Sequence, residues 1–293
     1  MSTTAYTPRR RHPLRLRRRA GKTATVGVLI ILSGIILLPI GWMLTVALKP
    51  DTAPVFTIPP QWFPTQYFDF DNFIRTMSDP NRPFGRFILN TLVIFLGNAI
   101  GALLSCALAA YAFARMRFRW QERLFWLLIV TMLIPWQALI VPQFLIFDKI
   151  GWYGTYLPLI VPSFFGNAFY IFLMRQYMRT IPRELDEAAR IDGAGHLRIF
   201  WSIILPLSRP VLAVCVVFVF LGTWNDLLGP LIYLVQNDQF TVALGLANAV
   251  TRAGTEWNLV MAANLLMMVP PVVVYFLLQR HLIGGIASVG LKG

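Results

Sequence analysis

The amino-acid sequence predicts an all-α integral membrane protein with six transmembrane helices. Of the 293 residues, 57% are hydrophobic and only 13% are charged, a charged fraction about half that of a typical soluble domain. The hydrophobic residues lie in six blocks, each long enough to cross a hydrocarbon core of roughly 30 Å as a helix. Because these blocks are long and continuously apolar, we expect helices and not the short alternating strands of a β-barrel. The predicted location is therefore the cytoplasmic membrane, which the chain crosses several times.

The predicted spans are separated by loops and flanked by tails at 1–24 and 280–293. The arginine-rich start followed by an apolar block could also be an export signal. However, the first block is longer than a signal core and lacks a clear cleavage site, so we expect it to be retained as a span. In order, the predicted spans are 25–48, 87–113, 124–147, 156–176, 210–233 and 257–279.

The loop at 49–86, between the first two spans, is rich in proline and aromatic residues. Prolines limit helix formation, and aromatic side chains need a surface on which to pack. We therefore expect this loop to form an ordered cap at the membrane surface, held either by the chain's own helices or by another subunit.

Small residues and prolines mark where the spans should pack closely or bend. Gly97, Gly101 and Ser105 recur every four residues in the second span and predict a face that another helix, in this chain or in a partner, can approach. Prolines predict either ordinary kinks or backbone groups that face a water-filled pathway. They lie at Pro39, Pro135, Pro142, Pro162, Pro230, Pro270 and Pro271.

The distribution of charge predicts the orientation of the chain. The net charge is +13, and most of the lysines and arginines lie in the tails, in the turn after the second span and in the segment 177–209. By the positive-inside rule, both termini are expected in the cytoplasm and the loop at 49–86 outside. This topology, together with anionic lipid headgroups, explains the basic patches, and we expect no nucleic acid among the partners.

The sequence offers no arrangement of residues typical of an enzyme. Cys106 and Cys215 lie inside predicted spans, where cysteine usually behaves as a small buried apolar residue. The three histidines, His12, His196 and His281, lie outside the spans, so a metal site or a histidine base within the membrane is not expected. No G-x-x-x-x-G-K-[ST] phosphate loop is present, and the chain should therefore bind no ATP of its own.

The most informative stretch lies in the segment 177–209 and combines Glu187-Ala188-Ala189, Gly193 and Ile203-x-Leu205-Pro206 at fixed spacing. Pro182 suits a first helical turn, while Gly193 permits a sharp change of direction and Pro206 stops the next helical piece. The pattern predicts a short helix-turn-helix with charges and small alanines at its surface. An ordinary amphipathic surface helix would be the interpretation without the fixed spacing.

This stretch reproduces the EAA motif, and the whole chain resembles the permeases of the carbohydrate uptake 1 family, the maltose-type ABC importers. The resemblance is to the shorter, six-helix permease of those importers, and only the arginine-rich start departs from the pattern. It implies a type I ABC importer permease fold with one permease domain at about 87–280. Further similar segments are Ala109-Ala110-Tyr111-Ala112-Phe113-Ala114-Arg115, Ile191-Asp192-Gly193-Ala194, Trp224-Asn225 and Gly290-Leu291-Lys292-Gly293.

The resemblance implies a transport subunit that works with several partners. These are a second homologous permease in a heterodimer, two ATPases that hold ATP and Mg, an extracytoplasmic solute-binding protein and the lipid bilayer. The imported solute would be a sugar or a related polyol-type compound, whose identity stays open. The segment 177–209 would then act as a lever on the fourth and fifth spans. The implied coupling residues are Glu187, Ala188, Ala189, Asp192, Gly193, Ile203, Leu205 and Pro206.

Polar residues inside the predicted spans are the candidates for a translocation pathway. An intramembrane carboxylate such as Asp226 is a functional candidate, although hydrogen bonding between helices explains such residues equally well. The full candidate set is Gln137, Trp224, Asn225, Asp226 and Asn264. A secondary carrier or channel that works without ATP is the alternative function, and a membrane receptor or scaffold is a third.

Overall fold

The computed structural model describes residues 13–80, 83–251 and 256–290, and within these ranges it consists of helices and connecting segments without a strand. Four helical stretches are long and apolar enough to cross a membrane, and two bent helix pairs bring the number to six if each pair is one span. The all-α class is therefore confirmed. The arginines before Pro13 and the last three residues of the predicted C-terminal tail lie outside the described residues.

Fourteen α-helices are present in these described ranges. Two 3-10 helices, Val161–Phe165 and Asn237–Gln239, and one π-helix, Phe200–Ile204, lie between them. The α-helices are α1 (Pro13–Ala47), α2 (Asp71–Ser78), α3 (Phe84–Arg115), α4 (Gln121–Thr131), α5 (Trp136–Lys149), α6 (Leu157–Ile160), α7 (Ala168–Thr180), α8 (Glu184–Ile191), α9 (His196–Ile199), α10 (Leu205–Leu207), α11 (Arg209–Trp224), α12 (Leu228–Tyr233), α13 (Val242–Thr251) and α14 (Trp257–Gly290).

Three of the predicted spans, 25–48, 87–113 and 257–279, lie along the long helices α1, α3 and α14. All three helices are longer than the apolar blocks, α3 by only a few residues. Helix α1 begins within the predicted tail 1–24, and α14 continues to Gly290, into the predicted tail 280–293. The physical reason is that arginine, lysine and alanine are good helix formers, so a change from apolar to charged residues need not end a helix.

The predicted span 124–147 is not one straight helix. Helices α4 and α5 enclose an angle of 92°, and the break between them ends at Pro135, directly before Trp136. Proline lacks the N–H group that would continue the hydrogen-bond ladder. Pro142, by contrast, lies inside α5.

The predicted spans 156–176 and 210–233 are also interrupted. In the first, the 3-10 helix Val161–Phe165 is followed by Gly166, at a φ of +90°, before α7 begins. In the second, α11 ends at Trp224 and α12 begins only at Leu228. A residue with a positive φ such as Gly166 cannot continue a right-handed helix, so α7 begins only after it, although Leu157–Thr180 remains one stretch long and apolar enough to cross a membrane.

Helix α3 lies at the centre of the packing and contributes to two buried clusters at its opposite ends. Near its C-terminus, Tyr111 and Ala114 pack with Met174, Ile181 and Phe200. Near its N-terminus, a second cluster contains Phe84, Phe87, Phe220, Trp224 and Val242. The uninterrupted helix thus connects the two ends of the molecule.

The loop at 49–86 is ordered where the structure describes it, and it packs on the chain's own helices. The fully buried Asn72 of α2 donates from Nδ2 to Ala47 O at 2.9 Å and to Lys49 O at 2.8 Å. Asp51 accepts from Arg75 at 2.7 Å and also from the side chain of Asn258 in α14. These two donors, first Asn258 and then Arg75, lower the pKa of Asp51. We call residues 49–80 the cap.

Candidate coupling segment and transport pathway

The segment Ile181–Ser208, which contains the EAA pattern, folds as two short helical pieces joined by a tight turn. Helix α8 ends in a turn where Gly193 N–H donates to Arg190 O at 3.0 Å and Ala194 N–H donates to Ala189 O at 2.9 Å. This is a Schellman motif, which places a left-handed residue just beyond the helix. Gly193 has a φ of +80°, as that motif requires. We call Ile181–Ser208 the coupling segment below.

The tip of the coupling segment presents both charged and apolar side chains. Glu187, Ala188 and Asp192 are exposed. Beside them, Ile191 is 87% exposed and Leu197 is 69% exposed. Burying two large aliphatic side chains would stabilise a complex, so this tip has the character of a docking surface.

The other EAA positions lie away from this tip. Ala189, Ile203 and Leu205 pack against the buried cluster around Tyr111, and Pro206 is half-buried. These residues therefore hold the coupling segment on the helical core, whereas the exposed positions are free to contact a partner.

A π-helix at Phe200–Ile204 shapes the second piece of the coupling segment, a feature that the sequence did not predict. Phe200 and Ile204 are buried, and Phe200 packs against Tyr111 with ring centroids 5.2 Å apart. The helical stretch His196–Leu207 then meets α11 at an angle of 75°. Such π-turns often lie at functional sites, and neither proline nor glycine marks this one in the sequence.

Three polar contacts attach the coupling segment to the C-terminal end of α3. Arg115 donates from Nη2 to Ile181 O at 2.7 Å, and its Nη1 lies 3.5 Å from Oδ2 of Asp186. The two side chains are only 1% and 8% exposed. Tyr111 Oη lies 3.5 Å from Nδ1 of His196. Sequence reasoning missed the contact between Arg115 and Asp186, because the two residues are far apart in the chain and no local pattern pairs them.

Among the predicted pathway residues, Trp224, Asn225 and Asn264 line one open groove of about 760 Å³ between α11, α13 and α14. Trp224 is buried and donates from Nε1 to Met267 O at 3.2 Å. The amide groups donate to carbonyl oxygens one turn earlier, Asn225 to Leu221 at 2.8 Å and Asn264 to Val260 at 2.9 Å. Most of the remaining lining is apolar.

Asp226 lies in a different cavity, of about 510 Å³, with Asn98, Gln143, Asn167 and Thr223. Its Oδ1 accepts from Gly229 N–H at 3.1 Å, so it stabilises the first turn of α12. Gln137 is exposed on α5 and lines neither cavity. The structure thus brings together three of the five predicted pathway residues.

A family model described as a binding-protein-dependent transport system inner membrane component matches residues 97–287. The chain belongs to this family. It is therefore a multi-pass inner-membrane protein and the permease subunit of an ABC importer, and its relatives are permease components, not enzymes. This confirms the resemblance that the EAA pattern indicated.

Several curated permeases are similar to this permease over most of its length. The sn-glycerol-3-phosphate transport system permease protein UgpE of Yersinia pestis bv. Antiqua (strain Antiqua) is 34% identical over 269 residues, which cover 90% of this chain and 93% of that protein. The alpha-glucoside transport system permease protein AglG of Rhizobium meliloti (strain 1021) is 35% identical over 233 residues, 77% of this chain and 61% of that protein.

Solved structures support the fold. A chain of a bacterial ABC transporter involved in the import of the acidic polysaccharide alginate superposes with a TM-score of 0.78 and 22% identity, covering 94% of this permease and 99% of that chain. The alginate transporter in complex with an alginate pentasaccharide-bound periplasmic protein gives a TM-score of 0.64 and 17% identity, covering 91% and 96%. At these identities the likeness concerns the fold alone.

Proposed function

We propose that this permease imports a sugar or a related polyol-type solute, and that partner ATPases drive the import through the coupling segment. The observation that carries the proposal is the exposed tip of α8, where Glu187 and Ile191 project from a segment anchored on the core. The names of UgpE and AglG, sn-glycerol-3-phosphate and alpha-glucoside permeases, support a hydroxyl-rich solute.

The coupling segment has the properties that a docking element for an ATPase needs. Its two short helices are fixed by the Schellman turn at Gly193, so a push on the tip is transmitted and not absorbed by a flexible loop. A partner that prefers one arrangement when it holds ATP and Mg can thereby shift the permease between two states. The other implied partners are a second, homologous permease and an extracytoplasmic solute-binding protein.

The orientation follows from the charges at the two ends of the molecule. The turn after α3 and the coupling segment carry Arg115, Arg117, Arg119, Arg123, Arg183, Arg190 and Arg198, whereas the loop at 49–86 carries only Lys49, Arg75, Arg82 and Arg86. By the positive-inside rule the coupling segment and both termini lie in the cytoplasm, and the cap lies outside. The ATPases would therefore bind where nucleotide is available.

The groove lined by Trp224, Asn225 and Asn264 is the proposed translocation pathway. Its mixture of amide groups and apolar side chains suits a sugar, which offers hydroxyl groups and an apolar ring face. Amide groups in contact with lipid would lose hydrogen bonds to water, so an open groove of this kind fits a wet cavity or a second permease better than the bilayer. Asp226 and Gln137 lie outside it, and we assign Asp226 the capping of α12.

The proposal is tested with the complete complex in proteoliposomes. Glu187→Lys should leave membrane insertion intact but lower the amount of ATPase that co-purifies, and with it ATP-driven uptake of solutes from a panel of sugars, polyols and glycerol phosphates. Glu184→Lys, which reverses an exposed charge on the first turn of the same helix, is the matched control. Uptake by the purified permease without any ATPase would instead establish a secondary carrier or channel.

A further inference from the structure

The buried contact between Arg115 and the coupling segment is more than a local ion pair. Arg115 is the last residue of α3, and it reaches two points of the coupling segment at once, Ile181 O before α8 and Asp186 within α8. Charged residues are rarely buried unless they are paired, because removing them from water is costly. The pair therefore ties the position of α8 to that of α3.

This contact is also incomplete, which suits an element that moves. The Arg115 Nη1 to Asp186 Oδ2 distance of 3.5 Å is longer than a good charge-assisted hydrogen bond. Arg115 Nε and Asp186 Oδ1 are buried without a hydrogen-bond partner. A small shift of α8 relative to α3 would thus strengthen or break the pairing, since both groups have unused capacity.

The far end of α3 is fastened to the segment Gln236–Val242 on the side of the cap. Asn90 donates from Nδ2 to Asp238 O at 2.8 Å and to Phe240 O at 3.0 Å, and Arg86 pairs with Asp238 at 2.9 Å. Thr91 Oγ1 accepts from Val242 N–H at 3.0 Å. Because α3 runs for 32 residues as one uninterrupted helix without proline, we expect a displacement at one end to carry to the other.

The direct links of the coupling segment to its neighbours in sequence, α7 and α11, are less rigid than α3. The coupling segment continues into α11 through the π-helix and a bend of 75°, and it follows α7 through Ile181-Pro182, outside any helix. Helix α7 is in turn held on α3, since Arg175 Nε donates to Phe113 O at 3.2 Å. Helix α3 is therefore the most direct rigid path across the molecule.

We infer that Arg115 is a positioning residue that transmits movement of the coupling segment into α3 and, through α3, to the external segment Gln236–Val242. This role rests on the proposed function, because it requires an ATPase to move the coupling segment. It differs from a lever that acts on the fourth and fifth spans alone. Arg115 contacts neither solute nor nucleotide in this role, and acts through Asp186.

The test follows the external segment directly, with the complete complex in detergent or proteoliposomes. Gln236 is exposed, and both native cysteines are fully buried. Within this chain, a membrane-impermeant maleimide should therefore label Gln236→Cys alone, and its labelling is measured on this chain after separation from the partners, without nucleotide and with Mg-ATP and orthovanadate. We expect nucleotide to change the labelling rate about fivefold, the lower end of typical coupling between sites.

That nucleotide response should disappear when Arg115→Met is added, while the ATPase still co-purifies. Asp186→Asn keeps the shape of the side chain and should also weaken the nucleotide response. It takes the place of Arg115→Met in the test if that variant fails to fold. Arg119→Met removes a nearby exposed arginine and should retain the full response. If Arg115 were only structural, Arg115→Met would lower the yield of folded complex. The difference in labelling rate with and without nucleotide would then remain.

Two outcomes would overturn the inference. One is a nucleotide response that persists in both Arg115→Met and Asp186→Asn. The other is an unchanged labelling rate at Gln236→Cys in a complex that hydrolyses ATP. A complex that contains no ATPase at all would instead overturn the proposed function, so the two failures are distinguishable.

Discussion

Gly193 sets the direction of the coupling segment, and it does so through its backbone alone. Its φ of +80° lies in the left-handed region, which costs roughly 1–2 kcal/mol for a residue with a Cβ atom. No atom lies within 4 Å of the place where a Cβ would be. Steric crowding is therefore not the reason for glycine here, and the conformational requirement can be tested separately.

We predict that Gly193→Val disturbs coupling far more than Gly193→Asn. Asparagine adopts left-handed conformations several-fold more often than other residues with a side chain, whereas a β-branched residue strongly disfavours them. The fraction of ATPase that co-purifies with each variant, compared with the unchanged permease, checks this. Equal losses in the two variants would show that glycine is needed for close contact with the partner and not for the turn.

At this scale the sequence predicted the turn but not the residues that hold it. The spacing of the EAA pattern places Gly193 directly after α8, and the structure confirms a change of direction there. The contact of Arg115 with Asp186 joins residues far apart in the chain, and no local pattern pairs them. Gln137 shows the opposite error. It was a candidate for the translocation pathway because it is a polar residue in an apolar block, yet it lines neither cavity.

At the scale of helices, small residues decide how closely α3 approaches its neighbours. A Cβ atom added at Gly97 would lie 2.6 Å from Ile160, and one at Gly101 would lie 2.6 Å from Phe164. Real Cβ contacts are longer, so the glycines allow α6 and the following 3-10 helix to pack directly on α3. The face predicted from Gly97, Gly101 and Ser105 is thus used within the chain.

We predict that Gly101→Ala lowers the free energy of unfolding by about 1–3 kcal/mol, as expected for overpacking of a close contact. Gly222→Ala in α11 is the matched control, because no atom lies within 4 Å of its added Cβ. Alanine also favours a helix over glycine, so the control should be neutral or slightly stabilised. Thermal unfolding of both variants in detergent checks the difference, and equal stability would contradict the packing argument.

The sequence located the apolar helices better than it located their interruptions. Prolines were recognised as possible kinks, yet Pro135 and Pro39 differ in outcome, since one directly precedes a helix after a 92° bend and the other lies inside α1. A proline frees backbone groups, but the neighbouring helices determine whether the helix continues or breaks. Those neighbours are set by the fold and not by the local sequence.

At the scale of the whole molecule, composition and the EAA pattern identified the class and the family, because hydrophobic length and motif spacing depend only on neighbouring residues. The division of the polar residues between two cavities could not be predicted in this way. Trp224, Asn225 and Asp226 are consecutive, yet the end of α11 directs Asn225 to the groove and Asp226 to the other cavity. One helix terminus therefore separates residues that the sequence grouped together.

The groove lined by Asn225 gives the last prediction, which concerns assembly. Its apolar lining includes exposed side chains such as Val250 and Val272, 42% and 47% exposed. A continuous apolar surface with embedded amides fits an interface with a second permease better than contact with lipid, since the amides would lose water without gaining partners in lipid. The second permease would enclose the groove as a solute pathway between the two chains, so assembly should shield the groove from bulk solvent.

We expect a cysteine at Asn225→Cys to react with a water-soluble maleimide several-fold more slowly in the assembled pair of permeases than in this chain alone. Thr52→Cys, at an exposed position of the cap, should react equally in both. Because Cys106 and Cys215 are fully buried, they contribute no background labelling. Labelling at Asn225→Cys that is as fast in the assembled pair as in the free chain would place the interface elsewhere on the molecule, since the groove would then face water in both states.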